Sequence, residues 1–311
     1  MSSNGSSQEQ TFFLSCNSAD DNRTSASYSD AATFSTALVI AVSSPVAVVG
    51  NALILAAICK KTFVRTPFHI LLSGLAISDL CTGLIAQPFI VAVMFIYLKR
   101  PEEVCDNPKL LFALIGIGNG SATYLITITV LFITLISIER WLHMYRQSLV
   151  TAHRGYFTVA TVLILPIPLV VARLFGDVKY ETYSSGVYTT ISSLMLFCFV
   201  TTSFAYFKVY QIIRHHQKQV HETSQNFGQP AIDLAKYKKS VVSILYILLL
   251  FSVCFLPLVV STGIFLFLGV SPEIGVALGV SMVLLFLSST LNPGLYLWRM
   301  NDIRNAVKQL F

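Results

Sequence analysis

The chain has 311 residues, 54% hydrophobic and 12% charged, with a mean hydropathy of +0.69. Soluble domains carry about a quarter charged residues, so this composition excludes an ordinary water-soluble domain and requires most of the surface to face lipid. The formal net charge of +6 belongs to short loops beside acidic lipid rather than to a nucleic-acid-binding face.

A helix needs about 20 largely apolar residues to cross a hydrocarbon core of roughly 30 Å. Seven such runs occur: Thr33 to Cys59, Pro67 to Leu98, Leu110 to Ser137, Tyr156 to Phe175, Gly186 to Ile213, Ser240 to Leu268 and Ile274 to Trp298. None alternates as a barrel strand does, so they predict an all-α membrane protein, a bundle of transmembrane helices. The chain divides into an extracellular N-terminal segment (1–32), the bundle (33–298) and a tail (299–311). In the tail Ile303, Val307, Leu310 and Phe311 share a face, with Arg304 and Lys308 nearer the other, a pattern for a short amphipathic helix on membrane lipid.

Orientation follows from Lys and Arg, which are retained on the cytoplasmic side. Lys60, Lys61 and Arg65 follow the first run, Arg146 and Arg154 the third, Arg214, Lys218, Lys236, Lys238 and Lys239 the fifth, and Arg299, Arg304 and Lys308 the seventh. Glu102, Glu103, Asp106, Asp177, Glu181 and Glu273 fall in the opposite loops, so the N-terminus is expected outside a cell membrane and the C-terminus inside. The sequons at Asn4 and Asn22 then suit glycosylation, whereas the one at Asn119 lies within a span. With no cleavable leader visible, the first run is expected to serve as its own insertion signal.

The segment from Arg214 to Lys239 is expected to be a flexible cytoplasmic excursion, suited to a cytosolic partner. Its His215, His216 and His221 lack neighbours at metal-ligand spacing and are expected to be solvated. Ionisable residues in mid-membrane are costly and mark function by default. Asp79, alone at mid-depth of the second run, is a candidate helix-tying acceptor, a cation site, or both.

Motifs on successive runs complete a pattern: Gly50-Asn51, Leu75-Ala76-Ile77-Ser78-Asp79-Leu80, Glu139-Arg140-Trp141, Tyr206, Cys254-Phe255-Leu256-Pro257 and Asn292-Pro293-Gly294-Leu295-Tyr296. In that order the chain resembles the rhodopsin-like G-protein-coupled receptors. The resemblance implies an extracellular ligand, a heterotrimeric G protein as partner and no enzymatic activity. Glu139 would hold Arg140 at rest, and Tyr206 and Tyr296 would turn inward to support the open state. Pro257 removes a backbone donor and bends its helix, which the resemblance makes a lever. Asp79, as the charged metal ligand, would hold an allosteric sodium ion with Thr129, Ser288, Ser289 and Asn292, since oxygen ligands suit a hard cation. No other cofactor is implied.

Departures narrow the kinship. Ile115 stands where the family has a disulfide cysteine, Cys198 replaces the fifth-span proline, and Phe255 replaces the sixth-span Trp. Any disulfide of Cys105 is therefore expected with Cys16, its companion on the oxidising side. Loss of the clamp and the proline resembles melanocortin, lysophospholipid and cannabinoid receptors, and Tyr296-Leu297-Trp298-Arg299 is similar to adenosine-receptor tails. Twenty positions before Pro257, where many relatives place an acid that locks Arg140, stands Tyr237 flanked by lysines, so appreciable ligand-free signalling is expected. Asp233, a further turn away, is the alternative acid.

Absences constrain the ligand. Ala122 occupies the amine receptors' Asp position and Phe286 the opsins' Lys position, which argues against a monoamine or retinal. Asn119, Ala122, Thr123, Phe255 and Phe286 are the candidate ligand-binding residues, with Phe89 and Phe265 nearby, and they favour a lipid-like or weakly polar molecule over a peptide. Gly116, Gly118 and Gly120 suggest close helix packing. The competing reading is a constitutively active receptor or scaffold without a ligand. A channel or transporter would need paired charges along a polar path, and an inverted repeat is not visible.

Overall fold

In lipid a backbone must satisfy its own hydrogen bonds, so each apolar run is driven to helix. The structure, a computed structural model, describes residues 23–60, 66–99, 108–145, 152–176, 181–227, 232–269 and 271–310. The helices are α1 (Arg23–Lys60), α2 (Pro67–Cys81), a π-helical turn (Thr82–Ala86), α3 (Gln87–Lys99), α4 (Pro108–Tyr145), α5 (Ala152–Ile164), α6 (Ile167–Gly176), α7 (Glu181–Phe227), α8 (Ile232–Leu268), α9 (Pro272–Arg299) and α10 (Asn301–Lys308). They provide seven segments long and apolar enough to cross a membrane. The second span is α2, the π turn and α3, the fourth is α5 and α6, and every other span is one helix. Asn4, Cys16, Asn22 and Cys105 lie outside the described residues, as do the side chains of Asp233, Lys236, Tyr237, Lys238 and Lys239.

α4 runs through the middle, packed on the second, fourth and fifth spans. The first span packs on the second and seventh, and the sixth bridges the fifth and seventh. Thr66 caps α2, its hydroxyl accepting from the His69 amide with Pro67 in the first turn, and Ser271 caps α9 in the same way. α8 stops at Gly269, whose φ of 80° only glycine adopts freely, with its amide returning to the Phe265 carbonyl.

Two expectations change. The segment from Arg214 to Lys239 is not a long excursion, because α7 continues to Phe227 and α8 begins at Ile232. Residues 214–227 contain no Gly or Pro, and the breakers Gly228 and Pro230 both fall between the two helices. The fourth span, expected to be continuous, is broken between Ile164 and Ile167. Pro166 and Pro168 remove two amides from that turn and their rings crowd the preceding carbonyls. The Tyr124 hydroxyl, from α4, donates to the Leu163 carbonyl at 2.8 Å and satisfies one group the break releases.

The π turn has a similar logic. The Gln87 amide bonds the Thr82 carbonyl five residues back, and in that register the next donor would be Pro88, which has none. The Ser44 hydroxyl of α1 donates to the stranded Gly83 carbonyl at 2.8 Å. First and second spans are thus pinned where the second changes its winding. α10 turns away at Met300, whose backbone is extended, and buries Ala306 as well as Ile303, the latter beside Ile54, Leu72 and Ala76. Lys60 holds its end by donating to the Gln309 carbonyl at 3.1 Å.

A Cβ on Gly83 would come within 2.8 Å of Val48 and 3.1 Å of the Ser44 carbonyl, and backbone cannot yield cheaply. Gly83→Val is expected to cost about 1–3 kcal/mol. Thermal unfolding in detergent micelles should show a Tm several degrees lower, while Gly263→Ala, which meets nothing within 4 Å, should leave it unchanged or raised.

Candidate functional site

Asp79 has no exposed surface. An unpaired carboxylate there would cost several kcal/mol, so the neighbouring spans must supply donors. Ser289 donates to Oδ1 at 2.8 Å, Asn292 to Oδ2 at 2.8 Å, and Thr129 to Oδ1 at 3.4 Å. Ser78 and Thr129 share a hydrogen bond at 3.1 Å, and Asn51 donates to the Ser289 carbonyl at 3.0 Å. The cluster therefore gathers the first, second, third and seventh spans. Ser288 stands apart, its hydroxyl donating to the Leu285 carbonyl at 2.6 Å.

The donor set fits a hard cation. One carboxylate and two hydroxyls converge, and the buried Asn51 Oδ1 accepts no hydrogen bond.

Toward the Arg140 end lies a cavity of about 200 Å³, lined among others by Arg140, Tyr206, Tyr296, Asn292, Ser288 and Phe255. Arg140, Tyr206 and Tyr296, three of the residues expected to form the activation switch, thus share one space with Asn292 of the Asp79 cluster. Pro257 lies within α8 nearly two turns after Phe251, which stacks on Phe199 at 5.9 Å and meets Phe255 at 4.6 Å. Phe199 and Phe251 carry no motif, so only the packing reveals that they join the fifth and sixth spans.

Arg140 is placed unexpectedly. Its Nε is 4.0 Å from Glu139 Oε2, the outer limit of an ion pair, and that buried oxygen has no hydrogen-bond partner. Its Cζ sits 3.5 Å from the centroid of Phe68, on the second span. Half-exposed ion pairs contribute about 0–1 kcal/mol, whereas a cation over an aromatic face contributes about 0.5–1 kcal/mol when exposed and about 2 when desolvated. The ring is therefore at least the equal of the acid. The neighbouring Trp141 meets Phe204 of α7 edge-on at 5.6 Å.

At the other end a cavity of about 280 Å³ is lined by Asn119 and Thr123 from α4, Ile191 and Met195 from α7, and Phe265 and Met282 from α8 and α9, among others. No charged side chain lines it among the described residues. Of the candidate ligand-binding residues, Asn119 and Thr123 face it. Ala122, Phe255 and Phe286 do not line it: all three are buried in the core, 1%, 3% and 0% exposed, and Phe255 also walls the Arg140 cavity. A Cβ on Gly118 would meet Phe89 and Ile90 of the second span at 3.6 Å, an ordinary van der Waals contact.

Residues 50–296 match the family model described as 7 transmembrane receptor (rhodopsin family). The chain is also 25% identical over 298 residues to cannabinoid receptor 1 of Xenopus laevis, a match covering 85% of this chain. The chain spans about 60% of that relative's length.

Asp79→Ala strands the Ser289, Asn292 and Thr129 donors without replacing the acceptor. It is expected to destabilise by about 2–4 kcal/mol. Asp79→Asn, which keeps an acceptor oxygen, should lose less than half as much; equal Tm losses for the two variants in detergent would show that the carboxylate is not what organises the cluster.

Proposed function

Because the chain belongs to the rhodopsin family of seven-transmembrane receptors, we propose that it converts binding of an extracellular ligand into activation of a heterotrimeric G protein. The supporting observation is the spatial order along the bundle. An uncharged cavity lies at the Asn119 end, the Asp79 cluster at mid-depth, and a cavity walled by Arg140, Tyr206 and Tyr296 at the other. A receptor of this family is not an enzyme.

In this reading residues 1–32 are extracellular with glycans on Asn4 and Asn22, residues 33–298 cross the cell membrane, and residues 299–311 lie along the cytoplasmic leaflet. The ligand is lipid-like or weakly polar, held by Asn119 and Thr123 against apolar walls, in keeping with the name of the Xenopus relative. Ligand contact with α7, α8 and α9 shifts the packing of Phe199, Phe251 and Phe255. The bend at Pro257 then lets the far half of α8 move away from Arg140. Ligand-independent signalling is the second reading, favoured by Tyr237 among lysines where an acid would lock Arg140.

Nucleotide exchange on a panel of purified G proteins, with and without a lipid and small-molecule library, tests the assignment. Ligand-free exchange above the G-protein background is expected for the parent, less for Tyr237→Glu and none for Arg140→Ala. A free-energy shift of about 1.4 kcal/mol changes a two-state ratio tenfold, so one added interhelical pair is enough to see. A silent parent, or a Tyr237→Glu variant as active as the parent, refutes the missing lock.

A sodium ion, when bound, would supply a positive charge that stabilises the resting packing. Asp79, Thr129, Ser289 and Asn292 would hold it, with Ser288 turning from Leu285 to join them. Replacing choline chloride by sodium chloride at constant ionic strength is expected to raise the Tm of the parent and to leave Asp79→Asn unmoved. The same sodium response in both proteins rules out the site.

A further inference from the structure

We propose that Phe68 is the seat of Arg140, an aromatic ring that holds the guanidinium against the second span and sets how readily it turns into the cavity. The inference rests on the receptor reading proposed above, in which this cavity is at the cytoplasmic end of the bundle, where a G protein is activated.

The seat is built from the sequence upward. The Thr66 cap and Pro67 start α2 so that Phe68 falls in its first turn. Its ring is 8% exposed, packed with Ile54, Leu72, Ala76 and Ile303, and meets His69 edge-on at 5.4 Å. A ring so enclosed cannot tilt away, and the face it presents carries Arg140 Cζ at 3.5 Å.

Glu139 cannot do this work. It is the preceding residue on the same helix, and successive residues project in different directions, which accounts for the 4.0 Å separation. A contact within α4 also fastens α4 to nothing else, whereas Phe68 fastens Arg140 to the second span. Both Phe68 and Arg140 line the cavity, so release of the guanidinium changes the charge presented there. Ile303 of α10 packs in the same cluster, so the short terminal helix supports the seat from behind.

The test uses the full chain in lipid nanodiscs. Arg140 is labelled with phenylglyoxal and the rate read by peptide mass spectrometry, alongside ligand-free nucleotide exchange on the G-protein panel. Phe68→Leu keeps the apolar bulk and removes the π face; Phe68→Tyr keeps both. Progressively fluorinated phenylalanines at position 68 hold the shape while draining the negative potential of the ring. Arg140 labelling is expected to quicken about two- to tenfold in Phe68→Leu and stepwise along the fluorinated series, with Phe68→Tyr like the parent. Ligand-free exchange should rise in the same order, and Ile303→Ala should move both readouts the same way by less. An unchanged labelling rate in Phe68→Leu overturns the proposal. So does a flat fluorinated series, which would reduce Phe68 to packing. If the parent activates no G protein, the receptor reading fails while the labelling series still decides whether Phe68 holds Arg140.

Discussion

A single carboxylate with no exposed surface dictates what four helices must bring to mid-membrane. Asp79, on the second span, can stay in the bundle only where donors meet it; the third span places Thr129 against it and the seventh places Ser289 and Asn292, with Asn51 of the first holding the Ser289 backbone. Cavities form at both ends of the bundle, but at mid-depth the polar groups draw the helices together. Asn292 is a member of the cluster and also a wall of the Arg140 cavity, so a change at either is felt by the other.

The same rule, that no backbone group in lipid goes unpaired without cost, explains the irregular places. Pro88 and Pro166 with Pro168 remove amides from the second and fourth spans. A hydroxyl from a neighbouring span answers at each site, Ser44 at the Gly83 carbonyl and Tyr124 at the Leu163 carbonyl. Each repair is also an interhelical tie. Prolines that weaken one helix thereby fix its register against the next, and the second span's change of winding is locked by the close approach of Gly83 to α1.

Charge at the Arg140 end is managed differently. The Glu139 carboxylate lies buried beside a half-exposed guanidinium at a distance too long for a good ion pair. Arg140 instead sits over the Phe68 ring, its Cζ 3.5 Å from the centroid. Guanidinium is planar and weakly hydrated, so it can rest on an aromatic face beside apolar cavity walls with less desolvation penalty than an ammonium. The result is a cation held in place yet accessible from the cavity, which suits a group that must change partners.

Much of this was legible in the residues. Run length and charge placed seven spans, most ends within about three residues, because the hydrophobic thickness of a bilayer acts on each helix separately, although the third span continues to Tyr145 beyond Ser137 and the sixth begins at Leu250 rather than Ser240. Asp79, Thr129, Ser289 and Asn292 could be grouped from motif order, and the structure brings them together. Hydropathy could not see that α7 and α8 run on through polar sequence, since helices outside lipid end where Gly228 and Pro230 break them and not where apolarity does. Nor could it orient side chains. Ala122 and Phe286 lie on the expected spans but pack in the core, Phe255 lines the Arg140 cavity instead of the one at the Asn119 end, and Phe68, one residue after a helix-starting proline, carries no motif. Composition and spacing determined which segments are helices and which residues must find polar partners. The rotation of each helix about its axis, and hence which ring meets Arg140 and which residues wall each cavity, was decided only by packing, because a turn of a few tens of degrees changes every neighbour without altering the sequence pattern.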